Sequence, residues 1–288
     1  MHQESGNGST GNMGQVNAAS VERKYPTLLT EECKVPKPDK VLKYGTAGFR
    51  ERADILDSTF LRMGMLAVLR SRKTGMAVGL MVTASHNAEP DNGIKMVDPN
   101  GGMLSQDWEG YAELLANASK GKVSEALAVI YTKEGIKLDA AAKKHLLAAD
   151  GNGQGGRGLT NGHAADGAVE AASGGGGGNS DLAAVVYVAR DTRPSSPHLS
   201  ALVLKGVEVV GGVGRDQGIL TTPQLHHCVR MANGEAGSGP FWGRPEWGGE
   251  EGYYAMLASS FTRLIESGED RGVALSITPA PTTALALV

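Results

Sequence analysis

The stretch that decides the fold is "MAVGLMVTASHN" (76–87). Its first nine residues, 76–84, form a nearly continuous apolar run with β-branched valines, and the polar triplet "SHN" follows at once. A short apolar run of this kind is typical of a strand that is buried on both faces of a sheet. Ser85 therefore follows the carboxyl end of a predicted central strand, which is where open α/β sheets bind their ligands.

Elements of alternating type surround this strand. Apolar residues recur at helical spacing over 56–73, where Asp57 or Ser58 is placed to cap the helix, and further helices are predicted over 103–120 and within 123–148. The remaining predictions are a strand over 182–191, a helix within 192–210 capped by Ser195 or Ser196, and a strand followed by a threonine-capped helix within 219–231. This alternation predicts an α/β fold with a mainly parallel mixed sheet and helices on both faces.

Composition divides the chain into segments. Residues 1–24 are polar and poor in apolar side chains, which predicts a disordered tail. Residues 25–231 form the predicted α/β domain, and the glycine-rich tract at 150–180 is expected to be a disordered insertion in it. We expect 232–288 to be the truncated start of a second α/β domain.

Charge and cysteine content narrow the class of partner. The formal net charge is −3, so no basic field favours nucleic acid or an anionic membrane surface, and a small-molecule substrate is expected. Cys33 and Cys228 are too far apart to suggest a zinc site or a disulfide framework. With no secretion signal or membrane span evident, we expect a cytoplasmic monomer.

Ser85 and its neighbours allow two interpretations. A serine hydroxyl needs a base, a metal or a positive field to act as a nucleophile, so the spacing alone favours a strand-end turn or cap residue at Ser85. His86 is adjacent in sequence and is not implied as a base for Ser85, because neighbours in a turn seldom point the same way. The Asn92-Gly93 pair is a turn signal that could bring Lys95 back toward Ser85, although Lys95 could also be a solvated surface lysine.

Two further motifs combine glycine or arginine with small polar residues. "YGTAGFR" (44–50) could let the backbone approach an anion that Arg50 then holds. "RDTRPSS" (190–196) places arginines after a predicted strand, where pairing with Asp191 is the simpler interpretation. Neither motif is specific by itself.

Taken in order, four motifs resemble domain I of the α-D-phosphohexomutases: "YGTAGFR", "VTASHNAEPDNGIKMVDPNGGML", "RDTRPSS" and "GILTTPQLHH". The resemblance covers roughly 43–231, apart from the glycine-rich tract, and continues weakly through "EEGYYAMLASSFTRLIE" (250–266). Within the superfamily the chain most resembles the eukaryotic branch that acts on N-acetylglucosamine phosphate.

The resemblance implies an enzyme that interconverts N-acetylglucosamine 6-phosphate and 1-phosphate through a sugar bisphosphate, in UDP-N-acetylglucosamine biosynthesis. Ser85 would carry the transferred phosphate, and Mg²⁺ would coordinate the phosphoserine oxygen. The residues that the resemblance assigns to catalysis are Ser85, His86, Lys95 and Arg50, and those it assigns to substrate binding are Asn87, Gly45 and Thr46.

The sequence departs from the family pattern in two ways. Ala88 stands where the family commonly has proline, with little expected effect because the loop keeps its length. A magnesium loop of the form DGDxDR, the sugar-recognition loop and the C-terminal phosphate loop have no counterpart in these 288 residues, so we expect the chain alone to be catalytically silent. A noncatalytic module that binds a sugar phosphate or a partner, or a mutase of the phosphoglucomutase or phosphomannomutase type, stays an alternative.

Overall fold

A five-stranded mixed sheet organises the part of the chain that the structure describes. The computed structural model describes residues 16–138, 183–234 and 248–266. The strands are β1 (Phe49–Arg52), β2 (Val78–Val82), β3 (Asp91–Val97), β4 (Val185–Arg190) and β5 (Val213–Ile219), in the spatial order β1-β3-β2-β4-β5. Every residue of β2 is buried, as its apolar sequence predicts.

The sheet is mixed, as predicted, and half of the pairings between these described strands are antiparallel. β2 pairs in parallel with β4, and β4 with β5, whereas β3 runs antiparallel to both β1 and β2. The chain leaves β2 and returns directly as β3, and a direct return of this kind makes an antiparallel pair, whereas a parallel pair needs a long crossover. Pairing therefore changes from antiparallel to parallel at β2.

The predicted turn at Asn92-Gly93 is wrong, because both residues lie inside β3. Asn92 is buried, and its side-chain amide donates hydrogen bonds to the hydroxyls of Ser195 and Ser196. A Cβ on Gly93 would lie 2.6 Å from the carbonyl oxygen of Phe49, so the strand needs glycine there for close packing. The reversal of the chain lies earlier, in residues 83–90.

Helices cover both faces of the sheet, as predicted. Their bounds are α1 (Ala18–Lys24), α2 (Leu28–Lys34), α3 (Asp57–Thr74), α4 (Gln106–Ala116), α5 (Val123–Glu134), α6 (Ser196–Val209), α7 (Thr222–Ala232) and α8 (Gly249–Glu266), with a short 3-10 helix at Ala53–Ile55. The main core lies on the α3 and α6 side, and α7 closes a smaller cluster with Met81, Val97 and Ala189 on the other face.

Helix ends differ from the sequence predictions in detail. Leu56 is the N-cap of α3, and neither Asp57 nor Ser58 occupies that position. Ser195 is the N-cap of α6, but its side chain makes no capping bond to this helix. α4 begins at Gln106 and not at Met103, which is held in a β-bridge to Val97.

Part of the predicted disordered tail is helical. In α1 the side chain of Val21 is fully buried, and Asn17 caps the helix by accepting a hydrogen bond from the Ser20 amide at 2.9 Å. The buried Val21, together with the hydrogen bond that Ser124 of α5 donates to Glu22, thus anchors a segment whose overall composition predicts disorder. Residues 1–15 and the insertion at 150–180 lie outside the described residues.

The described portion of the region after residue 231 is dominated by α8. Gln224 of α7 donates hydrogen bonds to Glu250 at 3.0 Å and to Tyr254 at 2.9 Å, which fastens α8 to α7. The start of a second domain within 232–288 stays a prediction. Among the described helices, none is both long and apolar enough to cross a membrane.

Candidate active site

Ser85 lies in the loop between β2 and β3, which we call the serine loop (residues 83–90). Its side chain is exposed at the carboxyl end of β2. The loop is closed by short-range backbone bonds, since the Asn87 amide donates to the Ala84 carbonyl at 2.8 Å and the Asp91 amide to the Ala88 carbonyl at 3.1 Å. The predicted placement of Ser85 just after a buried strand is confirmed.

The two residues after Ser85 have different surroundings. His86 is exposed in the turn, beside Ser85 in sequence. The Asn87 side-chain amide donates a hydrogen bond to Asp91 Oδ2 at 3.0 Å, across the base of the serine loop. That bond fits a residue that shapes the loop, and it uses one of the two amide protons that Asn87 could offer a substrate.

A chain of polar side chains runs inward from Ser85. Ser85 Oγ lies 3.0 Å from Thr83 Oγ1 in a hydrogen bond, and Thr83 Oγ1 donates to Asp191 Oδ2 at 2.8 Å. Thr83 is only 3% exposed, whereas Ser85 is open to solvent. The exposed hydroxyl is therefore supported from below by a buried one.

Arg193 holds the serine loop from the neighbouring β4–α6 connection. Its guanidinium donates to five carbonyl oxygens of the loop and its end, those of Ala84, Asn87, Ala88, Glu89 and Asp91. It also donates from Nε to Asp191 Oδ2 at 3.1 Å. A planar guanidinium can satisfy several carbonyls at once, so one side chain fixes the path of the loop on both sides of Ser85.

Arg50 and Lys95 lie on one face of the sheet. Arg50 of β1 is opposite Gly93 of β3, and Lys95 is two residues along the same strand, so both side chains leave the same face. Arg50 Cγ lies 3.0 Å from where a Gly93 Cβ would be, so the missing side chain makes room for the arginine. On the other side of β3, the backbone amide of Thr83 donates a hydrogen bond to the Gly93 carbonyl at 2.9 Å.

This arrangement gives the face a positive field. Burial lowers the pKa of the Lys95 ammonium below its usual value, and the nearby charge of Arg50 lowers it further. Arg50 Nε is buried and has no hydrogen-bond partner among the described residues. The two cations thus lie close enough to interact and are suited to an anionic ligand.

Gly45 and Thr46 form the exposed part of a tight turn before β1. Gly45 and Gly48 exchange backbone hydrogen bonds, at 2.8 Å from the Gly48 amide and 3.3 Å from the Gly45 amide. Gly48 has a φ of 80°, and a Cβ there would lie 2.1 Å from the Ile94 carbonyl oxygen. The turn is therefore pressed against β3 by a glycine, which sets where Arg50 enters the sheet.

Sequence reasoning favoured an ion pair between Asp191 and an arginine of the "RDTRPSS" motif, and in the structure Arg193 makes it at 3.1 Å. It missed that the same arginine holds the serine loop and that Thr83 lies between Ser85 and Asp191. The signal was present, because the "TASHN" and "RDTR" motifs each follow a strand, and the carboxyl ends of neighbouring parallel strands meet at one edge of a sheet.

The described residues around Ser85 do not provide a magnesium site. Across the described ranges, no group of three or more His, Cys, Asp or Glu side chains is placed to hold a metal ion. Both oxygens of Asp191 already accept hydrogen bonds, from Thr83, Ser196 and Arg193. Ser85, the metal ligand that the sequence suggested, is exposed, but no cluster of carboxylates accompanies it among the described residues.

Comparison with known proteins places this geometry in a family. Residues 44–120 match the model of the phosphoglucomutase/phosphomannomutase α/β/α domain I. The chain is 39% identical over 241 residues to phosphoacetylglucosamine mutase of Sus scrofa, covering 81% of this chain and 35% of the relative. The α/β domain is similar in sequence to domain I of the phosphohexomutases. The Mus musculus mutase is 41% identical over 224 residues, with 78% of this chain and 32% of the relative covered.

Solved structures of the family agree with the fold. N-acetylphosphoglucosamine mutase of Aspergillus fumigatus, in complex with GlcNAc-6P and magnesium, matches with a TM-score of 0.63 at 32% identity, covering 89% of this chain and 38% of that one. A serine-to-alanine variant of the same enzyme, in complex with glucose 1,6-bisphosphate, matches with a TM-score of 0.66 at 31% identity, over 88% and 38% of the two chains. The chain thus spans about a third of the length of the phosphohexomutases it matches.

Proposed function

We propose that this chain supplies the phosphoserine domain of a phosphoacetylglucosamine mutase, with Ser85 as the residue that carries the phosphate. The observation that carries the proposal is the exposed Ser85 hydroxyl at the carboxyl end of β2, beside a face that carries Arg50 and Lys95. The names of the relatives support the choice of sugar, because they are phosphoacetylglucosamine mutases at about 40% identity.

In the proposed reaction, phosphorylated Ser85 gives its phosphoryl group to the free C1 hydroxyl of N-acetylglucosamine 6-phosphate. The Ser85 O–P bond breaks as the sugar O–P bond forms, and the proton of the sugar hydroxyl leaves to a base. The resulting 1,6-bisphosphate reorients and returns its 6-phosphoryl group to Ser85, which releases the 1-phosphate. Since phosphoryl transfer needs mainly positioning and charge stabilisation, a rigid exposed serine beside cations is suited to it.

Arg50 and Lys95 have separate roles in this proposal. The arginine is permanently charged and would hold phosphate oxygens during transfer. The lowered pKa of Lys95 makes its ammonium a better proton donor than an ordinary lysine, so it could donate a proton to the departing oxygen. His86 and Asn87 shape the loop around Ser85, and Gly45 and Thr46 offer an exposed turn for substrate contact.

Mg²⁺ enters the proposal through a single ligand. When Ser85 is phosphorylated, its phosphate oxygens would be hard ligands of the kind that Mg²⁺ prefers. The described residues add no carboxylate set around it, so no step is assigned to the metal. The proposal also places the protein in the cytoplasm as a monomer acting in UDP-N-acetylglucosamine synthesis.

The test is to incubate the chain with glucose 1,6-bisphosphate and Mg²⁺ and to locate any added phosphoryl group by intact mass and peptide mapping. We expect one phosphoryl group on Ser85 and none on the Ser85→Ala variant. Ser259→Ala, which changes a serine in α8 away from the site, is the matched control and should label like the wild type. Labelling of another serine, or unchanged labelling of Ser85→Ala, would reject the proposal and favour the noncatalytic module.

A further inference from the structure

We infer that Thr83 and Asp191 are positioning residues that fix the direction of the Ser85 hydroxyl, with its hydrogen turned inward and its lone pairs turned outward. The inference rests on the proposed function of Ser85 and adds to it two residues outside the predicted site. It begins from the inward chain of side chains, Ser85 to Thr83 at 3.0 Å and Thr83 to Asp191 at 2.8 Å.

Asp191 determines which hydroxyl donates and which accepts in the hydrogen bonds from Ser85 through Thr83. Oδ1 accepts hydrogen bonds from the Arg193 amide at 3.1 Å and from the Ser196 hydroxyl, while Oδ2 accepts from Arg193 Nε at 3.1 Å. Ser196 itself accepts a hydrogen bond from the Asn92 amide, so its one proton is available for Asp191. Both oxygens of the carboxylate are therefore acceptors, and Thr83 must donate to Asp191.

The hydrogen bond to Asp191 uses the single hydroxyl proton of Thr83. A threonine hydroxyl has one proton and two lone pairs, so Thr83 can only accept from Ser85. The Ser85 proton then points at Thr83, toward the buried side of the loop. Its lone pairs are left facing the solvent side, where a phosphoryl group would approach.

This orientation matters for a serine that attacks phosphorus. If the hydroxyl rotated freely, its hydrogen would often lie between the oxygen and the incoming group. A buried threonine that is held by a carboxylate, itself held by Arg193, removes that freedom before the substrate arrives. Preorganisation of this kind lowers the barrier because the ordering cost is already met in folding.

The first measurement is the initial rate at which glucose 1,6-bisphosphate labels Ser85 in the full 288-residue chain. We expect Thr83→Val to slow labelling roughly ten- to hundredfold, because the acceptor is lost. Thr83→Ser keeps the hydroxyl and should restore the rate, while Asp191→Asn should lose most of it. If Thr83→Ser is as slow as Thr83→Val, the threonine acts through shape and the inference fails.

The second measurement does not depend on labelling. In the NMR spectrum of the threonine-labelled chain, we expect the Thr83 hydroxyl proton to be protected from exchange with water, since it is buried and donates to Asp191. Ser85→Ala should shift this resonance, and Asp191→Ala should abolish its protection. A Thr83 hydroxyl that exchanges freely, or that ignores Ser85→Ala, overturns the inference even if Ser85 is labelled.

Failure of the proposed function gives a different pattern. A wild-type chain that is not labelled, but whose Thr83 proton responds to Ser85→Ala as expected, would reject the phosphoserine role. The orientation of the hydroxyl would then still stand. The two claims therefore fail separately.

Discussion

Lys95 is a residue that the fold holds in an unfavourable setting. Its pKa is lowered first by burial and then by the charge of Arg50. Because the folded pKa lies below the value of 10.5 for a free lysine, the unfolded chain binds more protons between the two values, and stability rises with pH across that window. This destabilisation of the folded state is fully present below the folded pKa of Lys95 and is lost as the pH rises toward 10.5.

We therefore predict that Lys95→Met is more stable than the wild type at pH 7, by about 1–2 °C in thermal midpoint, since Lys95 is only partly buried. The gain should shrink as the pH approaches 10.5. The same variant should lose most Ser85 labelling. Thermal unfolding over a pH series checks the first part, with the exposed Lys120→Met as control. A variant that is less stable than the wild type at pH 7 would show that Lys95 is a structural residue.

Residue types near Ser85 could be predicted from the sequence, but their bonding could not. Strand-end placement made Ser85 a candidate, and the motif resemblance selected it together with Arg50 and Lys95. The hold of Arg193 on the loop depends on a contact over 100 residues of sequence, which periodicity and turn signals cannot detect. The turn prediction at Asn92-Gly93 was wrong because tertiary contacts outweigh the local turn preference. The Asn92 side-chain amide donates a hydrogen bond to Ser195 at the start of α6, and the absence of a side chain on Gly93 makes room for Arg50.

At the level of elements, the packing of α3 on α6 depends on two glycines. A Cβ on Gly206 would lie 1.8 Å from the Leu61 carbonyl oxygen, and one on Gly64 would lie 2.2 Å from the Val203 carbonyl oxygen. Such distances leave room only for backbone against backbone. Helical periodicity predicted both helices but not this close approach, because a glycine within a helix gives no information on its partner.

We predict that Gly206→Ala destabilises the chain by about 1–3 kcal/mol, since the helices must separate to admit the methyl group. Gly110→Ala is the matched control, because Gly110 is an exposed helical glycine with no atom within 4 Å of the added Cβ. It should stabilise the chain by about 0.5–1 kcal/mol. Urea unfolding of both variants measures the difference. Equal effects of the two substitutions would mean that the α3–α6 contact is looser than described.

At the level of the whole molecule, the order of strands was beyond sequence reasoning. Alternating strands and helices predicted the α/β class and the central strand β2. They could not show that β3 returns beside β2 and that β1 is the strand beyond it, because β1 is four residues long and carries charged side chains. Its place in the sheet comes from pairing with β3.

The predicted insertion at 150–180 lies in the sequence between α5 and β4. β4 lies in the sheet between β2 and β5, and α5 ends at Glu134. The glycine-rich tract at 150–180 has few apolar residues to bury, and the cost of closing a loop grows only slowly with length, by about 0.6 kcal/mol per doubling. Replacing the tract with a short Gly/Ser linker should therefore leave the thermal midpoint and the Ser85 labelling rate nearly unchanged. A large fall in either would show that the tract packs on the domain.

Phosphorylation of Ser85 and full turnover make different demands on the chain. One transfer to Ser85 needs a reactive serine and cations, and both lie on the described face. A full cycle must also hold the bisphosphate while it reorients, and it must repeat the transfer at a rate that a bound metal would support by offsetting charge on the moving phosphoryl group. The described residues form no carboxylate cluster for that metal, and the 288 residues contain no DGDxDR sequence.

We therefore expect the 288 residues alone to show no turnover in a coupled assay of N-acetylglucosamine 6-phosphate conversion, with Mg²⁺ and a bisphosphate primer. A chimera that replaces the matched region of the Sus scrofa relative with this domain should be active, within roughly tenfold of that relative, because a tenfold change is only about 1.4 kcal/mol of barrier. The same chimera with Ser85→Ala is the control and should be silent. Turnover by the 288 residues comparable to the chimera would contradict the expectation, and a folded but silent chimera would show that this domain cannot serve as a phosphoserine donor.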